Sequence, residues 1–125
     1  MYHLFLVMLG GAAGAGARHL TGRATLAMLG PNYPWGTLTV NLIGGLLMGV
    51  LAGTVSRFGE GGESWRLLLG VGLLGGYTTF SAFSLDVMLM LQRGEWAPAL
   101  GYIFASVIGS VAALALGLGL TRAIA

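Results

Sequence analysis

Long apolar runs separated by short polar clusters dominate this 125-residue chain. The clearest polar clusters are residues 30–34, which contain two prolines and a glycine, and residues 57–63, which contain an arginine and two glutamates. A membrane-spanning helix needs about 20 consecutive apolar residues, and four runs meet that length. The pattern therefore predicts a single all-α membrane domain over residues 1–125, with four transmembrane helices at about residues 2–29, 35–56, 66–92 and 96–121.

The composition supports a lipid-facing surface. Hydrophobic residues make up 56% of the chain and charged residues only 8%, whereas a soluble domain carries about a quarter charged residues. The arginines are scattered, which argues against a nucleic-acid surface, and the absence of cysteine excludes disulfides and thiolate metal sites. Both histidines lie near one end of the chain, so no serine, histidine and acid combination suggests an enzyme.

The arginines do not favour one orientation in the membrane. With four spans they divide equally between the two sides, with Arg57, Arg66 and Arg122 on one and Arg18, Arg23 and Arg93 on the other. Positive-inside orientation requires an excess on one side. Equal numbers predict dual topology, in which two opposed copies pair as an antiparallel homodimer. A single orientation, set by one dominant arginine, remains the alternative.

Glycines recur at four-residue spacing within three of the spans. The stripes are Gly10 and Gly14, then Gly45, Gly49 and Gly53, then Gly72 and Gly76. Small residues on one helix face let two backbones approach closely in lipid. We therefore expect these glycines to pack helices together rather than to bind a ligand.

The third span contains a segment that is a poor helix former. Residues 75–84 read Gly-Gly-Tyr-Thr-Thr-Phe-Ser-Ala-Phe-Ser. Irregular backbone at membrane depth is tolerated only where it is buried in protein or lines a cavity, and the carbonyls it frees can coordinate a cation. The sequence therefore predicts a third helix that is broken near its middle, beside an ion site.

Polar side chains also occur inside the second and fourth spans. Asn41 lies about two turns into the second span, where an amide is costly unless it is paired or faces water. Tyr102, Ser106 and Ser110 are spaced four apart, so they drift by only about 40° per step and form one stripe. These hydroxyls either bond to their own helix carbonyls or form a polar track. Asp86, near the end of the third span, is expected to snorkel or to be hydrogen-bonded.

Three stretches closely resemble the bacterial dual-topology fluoride channel family. They are residues 10–18, 36–44 and 72–83, of which the third contains the most specific signature. The resemblance covers essentially the whole chain. It implies a passive fluoride-selective channel, a multi-pass protein of the bacterial inner membrane that exports fluoride from the cytoplasm and protects against fluoride toxicity.

The resemblance also implies roles for individual residues. The fluoride pore would be lined by Asn41, Thr79, Phe80, Phe83, Tyr102, Ser106 and Ser110, and Arg18 would raise the local anion concentration at the pore entrance. A structural sodium ion at the homodimer interface would be held by the backbone carbonyls of Gly75 and Thr78. Fluoride accepts hydrogen bonds only, so donor side chains and the positive edges of aromatic rings suit it.

Three other functions stay open on the sequence. A small proton-coupled multidrug exporter also has four spans, but it needs a membrane-embedded carboxylate in its first span, and this chain has none there. A proton-coupled fluoride antiporter is disfavoured for the same reason, although Asp86 keeps it under consideration. A non-transporting membrane subunit is compatible with the glycine stripes, although it leaves the polar track without a purpose.

Overall fold

The computed structural model describes residues 1–124, so the last residue of the predicted domain lies outside it. Those residues form helices and turns without any strand, which confirms the all-helical fold. Three long helices are α1 (Tyr2–Leu29), α2 (Trp35–Val55) and α6 (Trp96–Ile124). Between α2 and α6 lies a longer helical stretch, Gly59–Gln92, which we call the third segment.

The third segment changes its helical geometry along its length. It consists of a one-turn 3₁₀-helix (Gly59–Gly61), α3 (Gly62–Trp65), a π-helix (Arg66–Leu74), α4 (Gly75–Tyr77) and α5 (Ser81–Gln92). Residues 78–80, between α4 and α5, are not helical. π-helical turns are uncommon and frequently lie beside functional sites.

Three stretches within residues 1–124 are long and apolar enough to cross a membrane. They are α2, the third segment and α6. The helix α1 has 28 residues but does not reach the same hydropathy, because Arg18, His19 and Arg23 interrupt its second half. Length and hydropathy alone thus identify three spans, and the fourth span stays a prediction.

The helices α2 and α6 pack with their backbones in contact, as the glycine stripe predicts. A Cβ atom added to Gly45 would lie 2.8 Å from the carbonyl oxygen of Ser110, and one added to Gly49 would collide with the carbonyl of Leu114. The contacting residue numbers rise together along the two helices. The two helices therefore run parallel.

The same kind of packing joins α1 to the third segment. A Cβ atom on Gly72 would lie 2.9 Å from the carbonyl oxygen of Val7, and one on Gly76 would lie 2.7 Å from that of Gly11, so the contacting residue numbers again rise together. This pair of elements also runs parallel. By contrast, α1 and α2 are antiparallel neighbours that meet where Gly36 approaches Gly22. Successive elements thus alternate in direction.

We expect Gly117→Ala to destabilise the fold, because a Cβ atom there would collide with the carbonyl of Leu46 and lie 2.8 Å from the Val50 nitrogen. Overpacking of this kind costs about 1–3 kcal/mol. The matched control is Gly119→Ala on the same helix, where the added Cβ meets no atom within 4 Å. Thermal unfolding in detergent measures both variants, and equal midpoints would contradict the close packing of α2 on α6.

Candidate functional site

The break in the third segment is the centre of the site. The helix α4 ends at Tyr77, and Thr78 adopts an extended conformation with φ −83° and ψ 159°. The helix resumes at Ser81 with α5. Because consecutive helical hydrogen bonds cannot continue through an extended residue, the backbone groups around Thr78 need other partners.

Asn41 of α2 supplies two of these partners. Its Nδ2 donates to the carbonyl oxygen of Thr79 at 3.0 Å, and its Oδ1 accepts from the backbone N–H of Thr79 at 2.9 Å. One side-chain amide therefore satisfies both polar backbone groups of Thr79. A carboxamide has two N–H donors, so the second is not used by this pair.

The Thr79 hydroxyl lies just before α5, whose N-cap residue is Phe80. Its Oγ1 accepts a hydrogen bond from the backbone N–H of Ala82, in the first turn of that helix, at 3.2 Å. The next carbonyl, of Phe80, accepts both the backbone N–H and the hydroxyl of Ser84, each at 2.9 Å. The backbone on both sides of the Phe80 ring is therefore fixed.

These bonds divert backbone donors from their helical acceptors. In a continuous α-helix each N–H bonds to the carbonyl four residues earlier. The N–H of Thr79 would bond to Gly75 and that of Ala82 to Thr78, but the first donates to Asn41 and the second to the Thr79 hydroxyl. The carbonyls of Gly75 and Thr78 thus lose their helical donors.

The polar residues of α2, the break and α6 face a common groove of about 400 Å³. Six of the predicted pore residues line it, namely Asn41, Thr79, Phe80, Phe83, Ser106 and Ser110. The remaining lining residues are apolar side chains, glycines and Thr78, and none of the lining residues carries a formal charge. The groove is open at the surface of the chain, where the Phe80 ring is 76% exposed.

Ser106 has an unusual environment within this groove. The residue is only 6% exposed, yet its hydroxyl has no hydrogen-bond partner within residues 1–124. A buried polar group without a partner costs about 1–3 kcal/mol. For Ser106 the bond to its own helix carbonyl is thus not made, which favours the polar-track interpretation of that hydroxyl.

Tyr102 lies behind the groove and not on its surface. It is fully buried at 0% exposure, and its hydroxyl donates to Oδ2 of Asp86 at 2.9 Å. The carboxylate is therefore hydrogen-bonded, one of the two environments expected for it. The sequence missed this pair because the two residues lie on different helices, although an acid in an apolar helix signals the need for a donor.

Aromatic rings connect Tyr102 to the groove. The ring centroids of Phe80 and Phe83 are 5.5 Å apart, and those of Phe83 and Tyr102 are 5.1 Å apart. Tyr33 meets Tyr102 edge-on at 5.7 Å. The Phe83 ring is therefore buried between two aromatic neighbours, whereas the Phe80 ring stands at the open side.

Arg18 lies on the other side of the break. Its Nε donates to the carbonyl oxygen of Gly76 at 3.1 Å, a carbonyl whose helical donor would be the N–H of Phe80. Arg18 also lines a second cavity of about 340 Å³, which it shares with Thr37, Thr79 and Asp86. Thr79 borders both cavities and therefore lies between them. The sequence did not predict that Arg18 bonds to the break.

Comparison with known proteins identifies one family and several similar proteins. Residues 5–118 match the family described as CrcB-like protein, Camphor Resistance (CrcB). Three similar proteins are each named fluoride-specific ion channel FluC. The one from Phenylobacterium zucineum is 55% identical (98% of this chain, 97% of the relative), that from Chelativorans sp. 54% (99% of each) and that from Sphingopyxis alaskensis 53% (98% and 97%).

We expect Tyr102→Phe to destabilise the chain, because it keeps the stacked ring but leaves the Asp86 carboxylate without this donor. Hydrogen bonds to charged groups contribute about 1.5–3 kcal/mol. Tyr33→Phe is the control, since the Tyr33 hydroxyl makes only a 3.4 Å contact with the carbonyl of Pro98. Thermal unfolding should show a clear loss for Tyr102→Phe only, and similar midpoints would contradict a significant role for the Asp86 bond.

Proposed function

This chain belongs to the CrcB family, and on that premise we propose that it is a passive fluoride-selective channel of the bacterial inner membrane. It lets fluoride leave the cytoplasm and so protects the cell against fluoride toxicity. The relatives that match nearly its whole length are named fluoride-specific ion channels. The observation that carries the proposal is the uncharged groove, in which Asn41, Ser106 and Ser110 meet two phenylalanines.

The groove suits the chemistry of fluoride. The ion is small and strongly hydrated, and it accepts hydrogen bonds without donating any. A pore must therefore replace its water with donors, which the hydroxyls of Ser106 and Ser110 and the unused N–H of Asn41 can supply. A buried arginine in the groove would hold the anion too tightly for release, whereas several moderate sites permit conduction.

The rings of Phe80 and Phe83 add a second kind of contact. Aromatic edges carry partial positive charge, and both rings line the groove beside the donors. Their ring centroids are 5.5 Å apart, which places two such edges within one short stretch of the groove. We infer that fluoride passes these edges as it exchanges one donor for the next.

No coupled energy source is needed for export. In acidic surroundings part of the fluoride outside the cell is protonated and crosses the membrane as neutral hydrogen fluoride, which ionises inside. The negative interior then drives the anion outward through an open pore. The Asp86 carboxylate is bonded to Tyr102 and does not line the groove, so it is not placed to carry protons along the groove.

We propose that the working unit is an antiparallel homodimer. The groove lies open at the surface of one chain, and its Phe80 ring is 76% exposed. A second copy in the opposite orientation would close the groove and shield the ring. The equal division of arginines between the two sides permits both orientations in one membrane.

A structural sodium ion at the dimer interface fits the freed carbonyls of Gly75 and Thr78. Unwound backbone carbonyls are typical sodium ligands in membrane proteins. Within residues 1–124 no cluster of three or more acidic or histidine side chains could hold a metal, so a cation would rely on backbone oxygen. Bound there, the ion would join the two copies.

Arg18 is proposed to attract fluoride at the pore entrance. Its Nε is engaged with Gly76, and a guanidinium has five N–H donors, so four are not used by that bond. The cavity that Arg18 lines shares Thr79 with the groove as a lining residue. The charge thus lies near the groove but outside its lining, where it raises the local anion concentration without trapping the ion.

Fluoride efflux from liposomes containing the purified protein tests the function directly. The parent should release fluoride in the presence of a potassium ionophore and should release chloride far more slowly. Phe80→Leu and Phe83→Leu, tested separately, should each lower fluoride efflux by about tenfold, because the replacement removes the positive ring edge while nearly conserving volume.

Phe58→Leu is the matched control, since Phe58 lies in the connector between α2 and the third segment. Assembly must be measured on the same preparation as efflux. A parent that releases no fluoride would refute the channel function. If both groove variants assemble and conduct at the parent's rate, the ring edges do not contact the ion.

Dual topology can be tested with a single introduced cysteine, because the natural chain has none. A cysteine appended after Ala125 should react with a membrane-impermeant maleimide from both sides, in about equal fractions, because no arginine excess selects one orientation. Labelling should be complete once the membrane is permeabilised. A population that labels from one side only would contradict the antiparallel dimer.

A further inference from the structure

Two side chains take over the backbone donors that would otherwise close the break. Asn41 binds the N–H of Thr79 at 2.9 Å, and the Thr79 hydroxyl binds the N–H of Ala82 at 3.2 Å. We propose that Asn41 and the Thr79 hydroxyl are positioning residues for the cation site, since by capturing these two N–H groups they release the carbonyls of Gly75 and Thr78 as ligands.

The capture is a competition between side chain and helix. Asparagine and threonine offer nearby backbone groups an alternative to the helical hydrogen bond. Each captured donor is the one that a continuous helix would direct to Gly75 or to Thr78. Binding of the Thr79 N–H by Asn41 therefore frees the carbonyl of Gly75. Binding of the Ala82 N–H by the Thr79 hydroxyl frees the carbonyl of Thr78.

The packing around Thr78 keeps the break open. A Cβ atom added to Gly44, one turn after Asn41 on α2, would collide with the methyl group of Thr78. The Thr78 hydroxyl and N–H both donate to the carbonyl of Leu74, at 2.9 and 3.0 Å. One face of α2 thus binds Thr79 through Asn41 and accommodates the Thr78 side chain at Gly44. Together these contacts fix Thr78 in its extended conformation.

This inference rests on the proposed sodium site, and it gives Asn41 a role besides lining the groove. An asparagine that only faced the ion would leave the carbonyls of the break unaffected. An asparagine that holds the break open determines whether the carbonyl of Gly75 is available at all. The two roles predict different responses to sodium.

The test is sodium binding, measured as the rise in unfolding midpoint when sodium chloride replaces N-methyl-D-glucamine chloride at constant ionic strength. Thr79→Ser keeps the capturing hydroxyl, whereas Thr79→Val replaces it with a methyl group of similar size. The apparent sodium affinity should be retained in Thr79→Ser and should fall at least about tenfold in Thr79→Val, as for other residues that support metal ligands. Asn41→Leu should show a similar loss.

Equal sodium affinities for Thr79→Ser and Thr79→Val, or an unchanged affinity in folded Asn41→Leu, would overturn the inference. A parent that conducts fluoride but shows no sodium-dependent shift would overturn it too, while leaving the channel function intact. Conversely, a parent that passes no fluoride but shows the serine and valine contrast would refute the channel and support the inference.

Discussion

The architecture depends on satisfying backbone groups where the third segment stops being a helix. In apolar surroundings an unpaired N–H or carbonyl costs several kcal/mol, and the extended conformation of Thr78 interrupts the helical ladder. Partners arrive from two directions, since Asn41 on α2 binds Thr79 and Arg18 on α1 binds the carbonyl of Gly76. The glycine contacts bring both helices close enough for these bonds. The close packing of the helices, the break in the third segment and the groove beside it therefore all depend on giving these backbone groups hydrogen-bond partners.

The sequence predicts those features that follow from local patterns. The apolar runs predict the helices, the four-residue glycine spacing predicts which faces meet, and the weak helix formers after Gly75 point to the part of the third segment where the site lies. The serine stripe predicts a polar face on α6, because 3.6 residues per turn determine which side chains share a face. Each of these inferences uses only one segment of chain at a time.

The remaining details depend on contacts between segments. Nothing local indicates that the amide of Asn41 would pair with the backbone of Thr79, 38 residues away, or that the Tyr102 hydroxyl would turn from the groove towards Asp86. Such pairings are decided by which donor and acceptor the packed helices bring within about 3 Å. The sequence identifies the polar groups that require partners, but the tertiary structure selects the partners.

The parallel pairing of helices also constrains the order in which the chain assembles. The closest contacts join α1 to the third segment and α2 to α6, so neither pair consists of neighbours in the chain. During synthesis, which adds about 5–20 residues per second, α1 and α2 must wait for their partners with glycine faces uncovered. The side chains that bond to the break from other helices, Arg18 and Asn41, lie on α1 and α2, which are synthesised before α6. The last helix to be made, α6, contributes Ser106 and Ser110 to the groove, so the groove is complete only once α6 has packed against α2.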